Sequence, residues 1–158
     1  MTEYRESCGI SLDPDFQRGD VWDDENRTRY VEHLLRGGRS GRDIYWNCPN
    51  HSGHRAVGGD LSPAMTIVDG KQRLTTIMRF MDNKVPVFGG HLLKDFDNEA
   101  RIRAVSATGS LRLQMHIHSL VMKRDLLRWY LDLNEGQVAH TREELNRIRE
   151  MLQEVEKA

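Results

Sequence analysis

Asp69-Gly70-Lys71-Gln72-Arg73 sets a carboxylate, a glycine, an amide and two cations on five consecutive residues. Asp69 could orient a metal ion or an attacking water while Lys71 and Arg73 neutralise phosphate oxygens. Such electrostatic positioning is most of what phosphoryl transfer asks of a protein. The β-branched run Thr66-Ile67-Val68 comes just before; Leu74, Ile77, Met78 and Met81 follow at i, i+3, i+4 and i+7, the spacing of one helix face. The motif therefore lies where a strand turns through Gly70 into a helix. Backbone N–H groups at a helix start lack intrahelical partners and the dipole is positive there, so an anion is welcome. The same residues have a purely structural reading, with Asp69 as the helix N-cap and Arg73 as its ion-pair partner. Spacing leaves both open.

Four further groups carry reactive side chains. Gln17 and Arg18 follow the turn-forming Asp13-Pro14-Asp15. A guanidinium fork suits phosphate and an amide can hold a base edge or a water, but on the residues alone this is a surface segment with Arg18 paired to Asp15 or Asp20. Cys48, His51 and His54 bring zinc-type donors to one loop without an evident fourth ligand. Zinc is therefore not expected, and no metal-ligand set is assigned. His116 and His118 share a strand face with Arg112 and Gln114, where an acid–base pair and a solvated polar face are both consistent with the pattern. Arg36, Arg39 and Arg42 punctuate a glycine-rich stretch that reads as a solubilising helix-to-strand loop before it reads as a mobile nucleic-acid contact.

The elements that would position these groups alternate along the chain. Ile10 to Val21 reads as an extended entry segment. Asp23 and Asp24 cap an amphipathic helix carrying Tyr30, Val31, Leu34 and Leu35, which stops at Gly37-Gly38. Ile44 to Trp46 is a short strand, Cys48 to Ser62 a hairpin loop, and Ala64 to Val68 the strand that leads into the motif. Val85 to Phe88 is extended up to the Gly89-Gly90 break, and Asn98 to Val105 leans to helix. Leu111, Leu113, Met115 and Ile117 alternate with polar residues, which predicts a strand with one buried face. Leu126, Leu127, Tyr130 and Leu131 mark a helix ending near Asn134. Thr141-Arg142-Glu143-Glu144 opens the last helix as a capping box, with Leu145, Ile148, Leu152 and Val155 as its stripe. Trp22, Trp46 and Trp129 read as core anchors. One α+β domain over 1–158 accommodates all of this.

Composition narrows the class. At 158 residues, with 38% hydrophobic and 30% charged side chains, the chain can bury a core under a solvated surface. A net charge of −1 supplies no global field for nucleic acid, so any such contact must use a local patch. Two cysteines make a disulfide framework improbable, and no stretch approaches a bilayer span. The N-terminus lacks an apolar secretory core, which predicts a cytoplasmic protein without membrane contact.

With these pieces placed, the chain resembles the DUF262 family, a branch of the ParB/sulfiredoxin-like superfamily. The family's entry motif is matched by Pro14-Asp15-Phe16-Gln17-Arg18-Gly19-Asp20-Val21-Trp22 and its central motif by Asp69-Gly70-Lys71-Gln72-Arg73-Leu74, with Lys71 where that pattern usually has glutamine. The run Leu127 to Gly136, then His140-Thr141, is similar to short phage-type members. The resemblance implies a small mixed sheet flanked by helices, with a cleft where Gln17-Arg18 meets Asp69 to Arg73. Larger relatives restrict modified DNA and link this domain to nucleotide hydrolysis and DNA cleavage, often with an HNH-type nuclease domain for which these 158 residues leave no room.

The expected function is thus nucleotide- or DNA-acting: metal-assisted NTP or phosphodiester hydrolysis, with Mg²⁺ or Mn²⁺ and an NTP as cofactors. Asp69, Gln72 and Arg73 would be catalytic; Gln17, Arg18, Gly70 and Lys71 would bind substrate. The rival is a non-catalytic nucleotide- or DNA-binding module that engages a defence or replication protein, in the host cytoplasm if the chain is phage-encoded. A homo-oligomer is compatible with either, since the last helix could pack at home or against a second copy.

Overall fold

The Asp23 side chain accepts the N–H of Asn26 at 2.7 Å, the cap an aspartate before an apolar stripe should make. The computed structural model describes residues 9–16, 19–51, 58–134 and 142–157. Among them the chain runs β1 (Ile10–Ser11), α1 (Asp24–Leu35), β2 (Asp43–Asn47), β3 (Met65–Asp69), α2 (Lys71–Met81), a 3-10 turn (Leu93–Asp95), α3 (Asn98–Val105), β4 (Gln114–His118), α4 (Lys123–Asn134) and α5 (Arg142–Lys157). Strand order is β1-β3-β2-β4, with β1 parallel and β2 antiparallel to β3 and a bulge between Tyr45 and Trp46. The expected α+β class with a small mixed sheet is what forms. No helix among the described residues is long and apolar enough to cross a membrane.

The chain forms two compact units. One draws on Met1–Gly19, Tyr45–Asp69 and His116–Ala158, the other on Asp20–Ile44 and Gly70–Met115. In the first, α4 buries Leu126, Leu127, Tyr130 and Leu131 with Phe16 and Val68. Ile148 of α5 joins them, and Leu145, Leu152 and Val155 pack half-buried alongside, so the stripe anticipated for the last helix does its work. Thr141, the first residue of the expected capping box, lies outside the described residues.

The second unit is built on α1 against α2. Val31, Leu34, Ile77, Phe80, Val85, Val87, Leu93, Ala104 and Leu111 form its core. The face of α2 differs from the expected one: it buries Thr76, Ile77 and Phe80 and leaves Met78 and Met81 exposed. Positions 76, 77 and 80 also keep helical spacing, and one aromatic ring, set edge-on to Phe96, outweighs two flexible methionines in deciding which face turns inward.

The strand expected over Leu111 to Ile117 is also corrected. Ser110 and Leu111 donate their N–H groups to the Arg103 and Ala104 carbonyls, so Leu111 closes the end of α3 and the strand starts only at Gln114. β4 is an edge strand, and neither of its faces is fully covered: Met115 is exposed and Ile117 half-buried. Among the described residues of the entry segment, only Ile10 and Ser11 are paired as strand.

Candidate functional site

Gly70 makes the elbow before α2 in a conformation that only glycine takes easily, φ 96° and ψ 10°. A Cβ there would come 2.5 Å from Ile44 Cδ1 and 3.2 Å from the Asp43 carbonyl, so the backbone lies flush against β2. Gly70 occupies the N-cap position and makes no side-chain cap, so Asp69 is not the N-cap. The first turn of α2 holds no acidic residue. Lys71 and Arg73 bring positive charge to this helix start, where the helix dipole is also positive.

The three residues that follow are held tightly. Lys71 and Gln72 are each only 8% exposed. Arg73 donates from Nη1 to the Asp43 carbonyl at 2.8 Å, fixing its guanidinium beside the start of β2. The side-chain oxygen of Gln72 accepts the backbone N–H groups of Val21 and Trp22 at 3.2 and 3.3 Å, so it straps the entry segment to α2. Asp20, next in that segment, pairs with buried Arg27 at 2.8 Å and with Arg79 at 3.3 Å. Trp22 lies edge-on to Tyr30, rings 5.2 Å apart, and the Tyr30 hydroxyl donates to the Gly41 carbonyl at 2.7 Å. Burial pushes the Tyr30 phenol up to about 12, against the pull of the Arg73 and Arg42 charges. Tyr30 and Arg27 had no signal in the sequence beyond their helix positions, and Asp20 read only as a partner for Arg18 within the entry motif.

In the other unit, Asp69 is the half-buried last residue of β3, in register with Tyr45. Gln17, Arg18 and His54 lie outside the described residues. The aspartates proposed for Arg18 are both engaged: Asp15 pairs with Lys123 at 2.6 Å, Asp20 as above.

The family model of the GmrSD restriction endonuclease N-terminal domain, a DUF262-type domain, matches residues 3–157. The chain belongs to this family. No curated protein and no solved structure matches it. The match takes in both motifs of this GmrSD-type domain, Pro14 to Trp22 and Asp69 to Leu74.

Other groups in the GmrSD-type domain turn out to be built into packing. Arg42 donates to the carbonyls of Gly38, Ser110 and Arg112, which makes it a latch between loops and not a mobile contact. His116 stacks on Tyr45 at 4.8 Å, and His118 lies 4.1 Å from the Trp129 ring. Trp46 is buried, as a core anchor should be, whereas Trp22 and Trp129 are half-buried within ring clusters. Cys48 is buried and His51 exposed, and among the described residues no group of three histidine, cysteine or acidic side chains could hold a metal.

Proposed function

We propose that this chain is a nucleotide- or DNA-acting domain of the restriction type, which hydrolyses an NTP or a phosphodiester at the Asp69–Arg73 motif. Membership of the restriction endonuclease N-terminal family over residues 3–157 carries the reading. The helix start supports it, since a first turn that carries Lys71 and Arg73 and no acidic residue favours an anion. Arg73 and Lys71 clamp phosphate oxygens at the Gly70 turn; Asp69 orients the metal or the attacking water. Gln72 holds the reacting group in place through the segment it straps, and Gln17 and Arg18 supply further substrate contacts. The superfamily frame is ParB/sulfiredoxin-like.

The metal fits this motif through Asp69. Mg²⁺ is held by one or two carboxylates plus substrate phosphates and keeps several waters, so Asp69 suffices where the ion arrives with its nucleotide. When bound, the ion neutralises charge on the transferring phosphoryl group.

Turnover of NTPs and of supercoiled plasmid, with Mg²⁺ or Mn²⁺, tests the proposal against Asp69→Ala and Arg73→Lys. Loss of phosphate release or nicking in Asp69→Ala, with the thermal midpoint kept, supports it; equal turnover by both variants and the parent refutes it. One observation favours the binding-module rival: the Gln72 oxygen is already taken by two backbone amides. Tight nucleotide or DNA binding without turnover would establish that alternative, with a defence or replication protein as the partner.

A further inference from the structure

Phe88 is one of two non-glycine residues at positive φ among the described residues, and it is held in place from outside. Its φ is 50°, a left-handed value that a bulky side chain rarely takes. It sits at the tip of a hairpin closed by reciprocal hydrogen bonds between Val87 and His91, each 2.8 Å. Gly89 and Gly90, also at positive φ, already give that turn the freedom it needs. A glycine at 88 would make the same turn without strain, yet a phenyl ring stands there, 41% exposed.

Two residues of α1 hold the strained tip. Glu32 accepts the Phe88 N–H at 2.7 Å on Oε1 and an N–H of Arg36 at 2.7 Å on Oε2. The Phe88 hydrogen bond holds the Glu32 carboxyl below the usual carboxylate range; burial opposes this and Arg36 reinforces it. Arg36 in turn lies over the Phe88 ring, its Cζ 5.0 Å from the centroid. The root of the hairpin is fixed too, as Thr28 donates to the Pro86 carbonyl at 2.9 Å and Val85 and Val87 are buried. Backbone strain that the surroundings over-determine is a mark of function. Here it presents a planar ring with a guanidinium beside it.

We propose that Phe88 and Arg36 form a stacking site for an unpaired nucleobase of single-stranded DNA, a contact that rests on the DNA-acting reading above but lies apart from the Asp69–Arg73 motif. Arg36 covers one face of the ring, so the base stacks on the other, where π-stacking tolerates any sequence. Arg36 is 62% exposed and gives one donor group to Glu32, which leaves the rest of its fork for the flanking phosphate. The exposed glycines 89 and 90 and His91 beside the ring make no broad apolar surface of the sort a protein partner covers. A lone ring next to a cation suits one flat, anion-linked group.

The test uses the full chain and a fluorescein-labelled oligo-dT of roughly fifteen nucleotides, the span of a single-strand binding site, beside a duplex of equal length. Phe88→Gly accepts the left-handed turn, so its thermal midpoint should equal or exceed that of the parent. We expect it to bind the single strand about tenfold more weakly, with duplex affinity changed less than about twofold and Phe88→Trp restoring binding. Unchanged single-strand affinity in Phe88→Gly overturns the site, as does an equal loss on both DNAs. A parent that nicks or hydrolyses while Phe88→Gly binds normally removes this inference and leaves the hydrolytic reading standing. Phe88-dependent binding without turnover does the reverse. If Phe88→Gly turns a dimer into a monomer at constant DNA affinity, a second copy is the occupant and the site falls.

Discussion

Gln72 accepts the backbone N–H of Trp22 at 3.3 Å, and through the same oxygen that of Val21 at 3.2 Å. A side chain from the first turn of α2 thereby does for the entry segment what a neighbouring strand would do. Replacing it by leucine removes the acceptor from two partly buried donors, a loss of about 1–3 kcal/mol. Amide exchange at Val21 and Trp22 should quicken in Gln72→Leu, while Gln72→Glu keeps an acceptor and stays close to the parent. Equal exchange in all three proteins would show that the strap is idle.

Gly70 combines a positive φ with a crowded Cβ direction, and the two penalties compound. Gly70→Ala should cost about 2–4 kcal/mol, from left-handed strain plus overpacking against Ile44. Gly37 has nearly the same φ, 87°, with nothing within 4 Å of its Cβ, so Gly37→Ala isolates the backbone component at about 1 kcal/mol. Urea midpoints of the two variants read the difference directly. If they match, the elbow is not tightly built.

How far the sequence could be read follows from which interactions are local. The bounds of α3, the Asp23 cap and the glycine elbow were legible because each depends on a few adjacent residues. The face of α2 was not, because Phe80 and Met81 are both apolar and only packing against α1 decides between them. The roles of Gln72 and Arg42 were hidden for a stronger reason: Val21 and Trp22 for Gln72, and Ser110 and Arg112 for Arg42, lie 50 to 70 residues away in the chain. Spacing can propose that a glutamine or an arginine does chemistry, but it cannot show that a distant backbone has already claimed it.

Arg42 tests that distinction within one loop. Its guanidinium satisfies the carbonyls of Gly38, Ser110 and Arg112 at once, a geometry a lysine ammonium cannot copy. Arg42→Lys and Arg42→Ala should both lower stability, the alanine variant by about 2–4 kcal/mol. Arg39→Ala, on an exposed residue three positions earlier, should stay within about 0.5 kcal/mol of the parent. Thermal unfolding of the three variants decides the point, and a destabilised Arg39→Ala would contradict the assignment of the latch to Arg42 alone.

Tyr30 reports on the charge of Arg73 without any ligand. Burial raises its phenol from an ordinary 10 to about 12, and the Arg73 and Arg42 charges lower it. A folded-state value above the unfolded one means that this stability is fully present below pH 10 and is lost as pH climbs through about 12. Ultraviolet titration should therefore show a late-ionising component that Tyr30→Phe removes, together with its share of the alkaline decline. That variant also gives up the hydrogen bond to the Gly41 carbonyl, about 1 kcal/mol at neutral pH. Arg73→Gln removes a cation that favours the phenolate, so the Tyr30 titration should move higher still. A downward move would mean that Arg73 does not face the phenol, and its fixed position at the Asp43 carbonyl would have to be abandoned as part of any phosphate clamp.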